Sequence, residues 1–289
     1  MRVWSLLIVA GLVAAGCTGE ASDPPESSTT IASESTTTTE PPTISDACVS
    51  GDLAFGEEGL VAAVGEPESD ATQLAQVRWE RGTSCERLVI SFATDSGAPA
   101  TTLGLTGVSV ISFAGVIRVD LPEEVVTTAV ADTFTDGLID HTYVVRDGSD
   151  LGVDIHGAPE TPIAARAFLT SSPANLVIDV IELDGAPEPV GASVSESAVV
   201  ITPPPGPTLY PFTVAGYAVP GAGSVDLLVS NDGPGTVNVT IALEGATDAW
   251  QAVSTRIDDG PSGQAILFLG RVDANEVPLT GAEVPLDLP

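Results

Sequence analysis

From Gln76 onward the chain alternates between short apolar runs and breaks. The runs are rich in Val, Ile, Thr and Phe, and the breaks are clusters of Gly, Pro, Asp and Ser. Short runs of this kind, bounded by turn residues, predict β-strands rather than helices. In the first half the expected strands are Gln76–Glu80, Arg87–Ala93, Val108–Phe113, Val116–Leu121, Thr142–Arg146, Leu151–Ile155, Ala165–Thr170 and Leu176–Glu182. Glu123–Ala131 fits a short helix or a strand equally. Asp184 to Ser195, DGAPEPVGASVS, reads as a linker. A second series follows: Ala198–Thr202, Phe212–Tyr217, Val225–Ser230, Thr236–Leu243, Ala249–Thr255, Gln264–Gly270 and Ala282–Leu286. Seven strands in about 100 residues fit an immunoglobulin-like sandwich. The expected fold is therefore all-β, with two β-sandwich domains at residues 46–185 and 197–289 joined by residues 186–196.

The N-terminal pattern is different. Arg2 precedes a ten-residue apolar segment, Leu6 to Ala15, too short for a bilayer core that takes about 20 apolar residues. It fits the apolar region of an export signal over residues 1–16, ending in Ala14, Ala15 and Gly16. Small residues just before Cys17 resemble the bacterial lipobox. That resemblance implies a diacylglyceryl group on the Cys17 thiol and a protein held on the outer face of the bacterial cytoplasmic membrane by its lipid alone, since two acyl chains anchor stably. After Cys17, the 28 residues Thr18–Ser45 include fourteen Ser or Thr, four Pro, five acids and no base. A segment with so little to bury cannot offset its ordering entropy, so residues 17–45 are expected to form a disordered tether.

Charge narrows the partners. The chain has nine Arg, no Lys and 40 acids, for a net charge of −31. Nucleic acid and anionic membrane surfaces require basic patches, so neither is an expected partner. The missing Lys removes Ser–Lys dyads, Schiff-base chemistry and the S-x-x-K motif, and G-x-S-x-G is absent as well. With Cys17 assigned to lipid, Cys48 and Cys85 remain as an even pair in an exported chain, where disulfides persist.

Both halves resemble known families. Cys85–Ala93, CERLVISFA, and Ala165–Ile181, ARAFLTSSPANLVIDVI, are similar to the AMIN and AMIN-like domains of bacterial envelope proteins. The second segment matches the family's closing pattern of strand, Pro-containing turn and L-V-[IV]-D strand, and Arg87 stands where the family keeps an Arg. Asn175 occupies a position that is usually basic in the family. The second half resembles the immunoglobulin-like Gmad domain of spore-germination and other envelope lipoproteins. Its segments are ITPPPGPTLYPFTVAGYA (Ile201 to Ala218), GATDAWQAVSTRI and PSGQAILFLGRVDANEV, with VPGAGSVD where the family often has Phe-Glu. The resemblance implies non-catalytic attachment of the first domain to cell-wall glycan or to an envelope protein, and an interaction role for the second. It implies no cofactor. The rival expectation is a surface adhesion or protein-assembly module that binds protein and no glycan; a hydrolase is a further one.

Candidate binding chemistry clusters in the first half. Arg78, Trp79, Arg81 and Arg87 include three of the six arginines of residues 46–185. They are the expected ligand-binding group, for a glycan or a cell-wall carboxylate; salt bridges to Glu80 and Glu86 would equally account for the charges. Trp250, in DAWQAV, is expected to pack in the core of the second sandwich. His141 and His156 are the only histidines. Asp154-Ile-His156 puts two of these polar groups on one strand face, but the spacing demands no metal and none is expected. The acid pairs Glu57-Glu58, Glu123-Glu124 and Asp258-Asp259 point to opposite faces if in strands, unlike the facing carboxylates of a glycosidase. Asn231-Asp232-Gly233 reads as a turn, and the sequon Asn238-Val-Thr240 lies in an expected strand.

Overall fold

A computed structural model of the chain describes residues 53–82, 85–127, 131–134, 136–231, 235–244 and 247–289. The chain divides into Met1–Thr39 and Glu40–Pro289, and everything described belongs to the second unit. The signal segment, Cys17, the tether, Cys48 and the tip of the Asn231-Asp232-Gly233 turn lie outside the described residues.

The described chain is all-β. One 3-10 turn, Ser112–Ala114, is its sole helical piece. The first half forms β1 (Gly59–Val64), β2 (Gln73–Arg81), β3 (Glu86–Ala93), β4 (Thr106–Ile111), β5 (Val116–Asp120), β6 (Val126–Thr127), β7 (Ala131–Thr133), β8 (Ile139–Asp147), β9 (Asp150–Gly157), β10 (Ile163–Thr170) and β11 (Asn175–Glu182). The second half forms β12 (Ser193–Val194), β13 (Ala198–Thr202), β14 (Gly206–Pro207), β15 (Phe212–Ala218), β16 (Ser224–Ser230), β17 (Val237–Ala242), β18 (Trp250–Ile257), β19 (Gly263–Val272) and β20 (Pro278–Leu288). Within Glu123–Ala131, the described part is a Pro122–Val125 turn followed by β6, which pairs parallel with the start of β2.

Three sheets result. A five-stranded sheet runs β10-β11-β3-β2-β6, and another runs β14-β20-β19-β16-β17. Between them lies a ten-stranded sheet in the order β1-β4-β5-β9-β8-β18-β15-β13-β12, with β7 also on β8. The first sandwich packs β2, β3, β10 and β11 against β4, β5, β8 and β9. Its core includes Leu88, Ile90, Phe92, Leu176 and Ile178 from one sheet and Val108, Ile117, Val153 and Ile155 from the other. The second sandwich packs β13, β15 and β18, through Val200, Val214 and Val253, against Leu227, Leu267, Leu269 and Val284. Each buried Val, Leu or Ile stabilises by roughly 1.5–3 kcal/mol. A register slip of one residue would turn those side chains outward, so the alternation holds the pairing in place.

The two sandwiches share the long sheet. The outer edge of β8 is divided: His141, Thr142 and Tyr143 pair with β7, while Val145 and Arg146 pair in parallel with Trp250 and Gln251 of β18. An ion pair, Arg146 Nη2 to Asp248 Oδ2 at 2.8 Å, reinforces that short seam. The faces turned away from both sandwich cores meet in a third buried cluster. Val116, Tyr143 and Val145 from the first half pack there with Val199, Ile201, Tyr217 and Trp250 from the second. Trp250 is buried as expected, but in this seam instead of the sandwich core, because Val253 on the opposite face of β18 takes the core position. Gly216 permits the close approach of β15 to β13, where a Cβ would stand 1.9 Å from the Val199 carbonyl oxygen.

Candidate functional site

The four residues singled out in the sequence do not share one surface. Within β2, Trp79 opposes the core residue Leu88, whereas Arg78 opposes Val89 and Glu80 opposes Arg87. Trp79 and Arg81 therefore project to the inner side, and Arg78 and Arg87 to the outer side. Trp79 packs beside Phe134, with ring centroids 5.1 Å apart, and its Nε1–H donates to Glu86 Oε2 at 3.0 Å. Glu86 also accepts from the Ile139 amide at 3.0 Å and lies 3.8 Å from Arg81 Nε. These contacts make Trp79 a packing residue at the end of the sandwich. The expected bridges to Glu80 and Glu86 are both present, since Arg78 Nη2 lies 2.6 Å from Glu80 Oε1.

The outer face carries a row of alternating charge. Register places Arg166, Asp179, Arg87 and Glu80 side by side across β10, β11, β3 and β2. Arg87 donates twice to Asp179, through Nε at 2.6 Å and Nη2 at 3.0 Å, and Arg166 Nε donates to the same carboxylate at 3.1 Å. Paired charge-assisted bonds of this kind are strong and directional. The bonds to Asp179 raise the Arg87 pKa against the opposing effect of burial. Arg87 stands over the Phe168 ring and Arg166 over Phe55, at 5.7 and 4.7 Å. Asp179 is fully buried beneath its two partners, while the Arg78 side chain is 54% exposed. Cys85 is disulfide-bonded; Cys48, the expected partner, lies outside the described residues.

A second polar assembly lies where the sandwiches meet. Arg118, Asp154 and Tyr143 form one row across β5, β9 and β8, with Val116, His156 and His141 in the next. Arg118 donates through Nε and Nη2 to the two Asp154 oxygens at 2.8 and 2.6 Å. Those bonds raise the Arg118 pKa despite its burial. From the second sandwich, the Tyr217 hydroxyl hydrogen-bonds His156 Nε2. Burial lowers the His156 pKa to about 4, against the Asp154 charge that would raise it. Burial likewise pushes Tyr143 up to about 12 and Tyr217 well above its ordinary value.

The expected pairing of Asp154 and His156 on one face is therefore realised, and His141 is the direct cross-strand neighbour of His156. Their chemistry is otherwise. His141 Nδ1 bonds Asp140 Oδ2 at 2.7 Å and its ring stacks on Tyr143. Among the described residues, no three His, Cys, Asp or Glu side chains converge as metal ligands. Beside the Arg118–Asp154 pair, a cleft of about 730 Å³ opens between the two halves of the long sheet. Arg118 and Tyr217 were not singled out in the sequence. VIRVD and VAGYA place each on a defined strand face, but only the seam brings them together.

No protein-family model, curated protein or solved structure matches the chain.

Proposed function

We propose that this protein is an exported, lipid-anchored, non-catalytic component of the bacterial cell envelope. In this reading the outer face of the β10-β11-β3-β2 sheet docks to peptidoglycan or to wall-associated machinery, and the immunoglobulin-like half makes a further contact. The observation that carries it is the outer row itself. In a chain of net charge −31, Arg78, Arg87 and Arg166 share one face with Phe168, against only Asp179 and Glu80. Its exposed part, Arg78 with the partly exposed Arg87 and Phe168, offers cations to carboxylates and an aromatic ring to the apolar side of a sugar. The two segments that resemble AMIN domains are hydrogen-bonded neighbours here, CERLVISFA on β3 and ARAFLTSSPANLVIDVI on β10 and β11. The lipobox and tether would let anchor and docking face engage together, so that weak contacts yield lasting placement.

A second reading, assembly with a protein partner, is favoured by β17. This strand, VNVTIA, ends its sheet, pairs among the described residues with β16 alone and carries no charge. Unpaired, uncharged edges are templates for strand addition.

The test is co-sedimentation of the full chain with purified sacculi. Wild-type protein should sediment, and Arg78→Glu, which reverses the exposed end of the row, should weaken binding about tenfold. No sedimentation would refute wall docking and leave protein assembly. Sedimentation indifferent to Arg78→Glu would refute the assigned face. The intact chain is required because the halves share a sheet and an apolar seam.

A further inference from the structure

The seam between the sandwiches is built as a hinge, and nothing in its geometry depends on docking through the outer sheet face. Each sandwich closes a core of its own. Among the described residues, ladder pairing between them is limited to two residue pairs, Val145 with Trp250 and Arg146 with Gln251. The Arg146–Asp248 ion pair supports it, as does the cluster in which the Tyr143 ring lies 4.9 Å from Trp250 and 5.2 Å from Tyr217. Two cavities border this cluster. Val145, Ile201 and Tyr217 line the cleft of about 730 Å³, while Ala114 and Ala192 line a second pocket of about 280 Å³ together with His141 and His156. The seam is thus a narrow contact between hollows. The covalent link, residues 183–192, carries Gly185 and Gly191 in the left-handed region, where glycine turns the chain at little steric cost.

His156 sits in that contact. It projects from β9 of the first sandwich, bonds the Tyr217 hydroxyl of the second and meets the Tyr143 ring edge-on at 5.1 Å. The titratable and charged groups around it are Asp154 on β9 itself, Arg118 on β5, His141, Asp140 and Tyr143 on β8, and Tyr217 on β15, with Glu160 in the same pocket. Asp154 and Asp140 would favour a charged ring, and Arg118 and His141 oppose one. Both carboxylates are already engaged, Asp154 by Arg118 through each oxygen and Asp140 by His141. An imidazolium here is a buried charge without its own counter-ion, which is strongly disfavoured. The bond to Tyr217 offers no obstacle, since a protonated ring still donates to a hydroxyl; what the closed seam lacks is water. Opening the seam supplies water at the loss of one small cluster, whereas unfolding a sandwich supplies it at the loss of a core. The smaller rearrangement comes first. We propose that protonation of His156 opens this hinge, so that acid parts the seam and exposes Tyr143, Tyr217 and Trp250 while both sandwiches stay folded.

The experiment uses the full chain with Trp4→Phe and Trp79→Phe, which leaves Trp250, 6% exposed, as the sole tryptophan. Acrylamide quenching of its fluorescence is followed from pH 7.5 to pH 4.5, with far-UV circular dichroism on the same samples. The quenching constant should rise at least threefold by pH 4.5, reversibly, with the β-sheet signal unchanged. His156→Gln in the same background should keep Trp250 shielded throughout. Arg146→Ala, which removes the ion pair across the seam and leaves His156 in place, should bring the same rise at a pH higher by about half a unit. Four results would each overturn the proposal. They are quenching that stays flat to pH 4.5, an equal rise in His156→Gln, a rise that comes only with loss of the β-sheet signal, and a transition that Arg146→Ala leaves unmoved.

Discussion

His156 makes the seam sensitive to acid, and the effect is large enough to measure. The imidazole is 5% exposed, and burial lowers its pKa from 6.5 to about 4. Well above pH 6.5 it is neutral in both the folded and unfolded chain and contributes no pH dependence. As pH falls from 6.5 towards 4 the unfolded chain takes up a proton that the folded chain refuses, so stability falls across that window and levels off below it. A shift of that size, at about 1.4 kcal/mol per unit, corresponds to about 3 kcal/mol. Urea unfolding monitored by tryptophan fluorescence between pH 4.5 and 7.5 measures it, and His156→Gln supplies the comparison. Gln keeps an amide that can hydrogen-bond the Tyr217 hydroxyl but does not titrate in this range. Subtracting its stability from that of wild type cancels every other titrating group, carboxylates included. The difference should change by about 2 kcal/mol or more between pH 7 and pH 4.5, in favour of Gln at the acidic end. A flat difference would refute the reasoning: His156 would then be protonated as easily when folded as when unfolded.

Two further outcomes follow from the first sandwich. Asp179→Ala removes the carboxylate that both Arg87 and Arg166, the latter 5% exposed, grip. It should cost about 3 kcal/mol or more in urea unfolding, and a cost under 1 kcal/mol would mean that water replaces the carboxylate. Peptide mapping without reductant should recover Cys85 joined to Cys48, with reduction lowering stability by roughly 4 kcal/mol or less for a loop of that length; recovery of Cys17 joined to Cys85 would contradict both the pairing and the lipid assignment.

Much of the fold was legible from short apolar runs bounded by turn residues. Every strand expected from those runs is present, because β-branched and aromatic residues between turns fit a pleated surface packed on a core. The strands that escaped notice failed for physical reasons. β1, GLVAAV, is half Gly and Ala and so is poor in the β-branched and aromatic residues that mark a strand. β6, β12 and β14 are two residues long and β7 three, too short to carry a period. The binding group was read from clustering in sequence, although adjacent residues in a strand face opposite ways. Alternation along β2 separates Arg78 from Trp79.

By itself, then, the sequence determined strand positions, the relative facing of neighbouring side chains, the acidic character and the N-terminal pattern, since each is a local property of composition or spacing. Only the tertiary structure decided which face was which. Alternation requires Trp250 and Val253 to point apart, but the pairing of β18 with β8, about a hundred residues distant in the chain, makes one face core and the other seam. Likewise Arg118, Asp154, His156 and Tyr217 come from three strands whose register is set by burial across the whole sheet. Long-range pairing depends on the sum of many weak apolar contacts, and no short stretch of the chain encodes that sum.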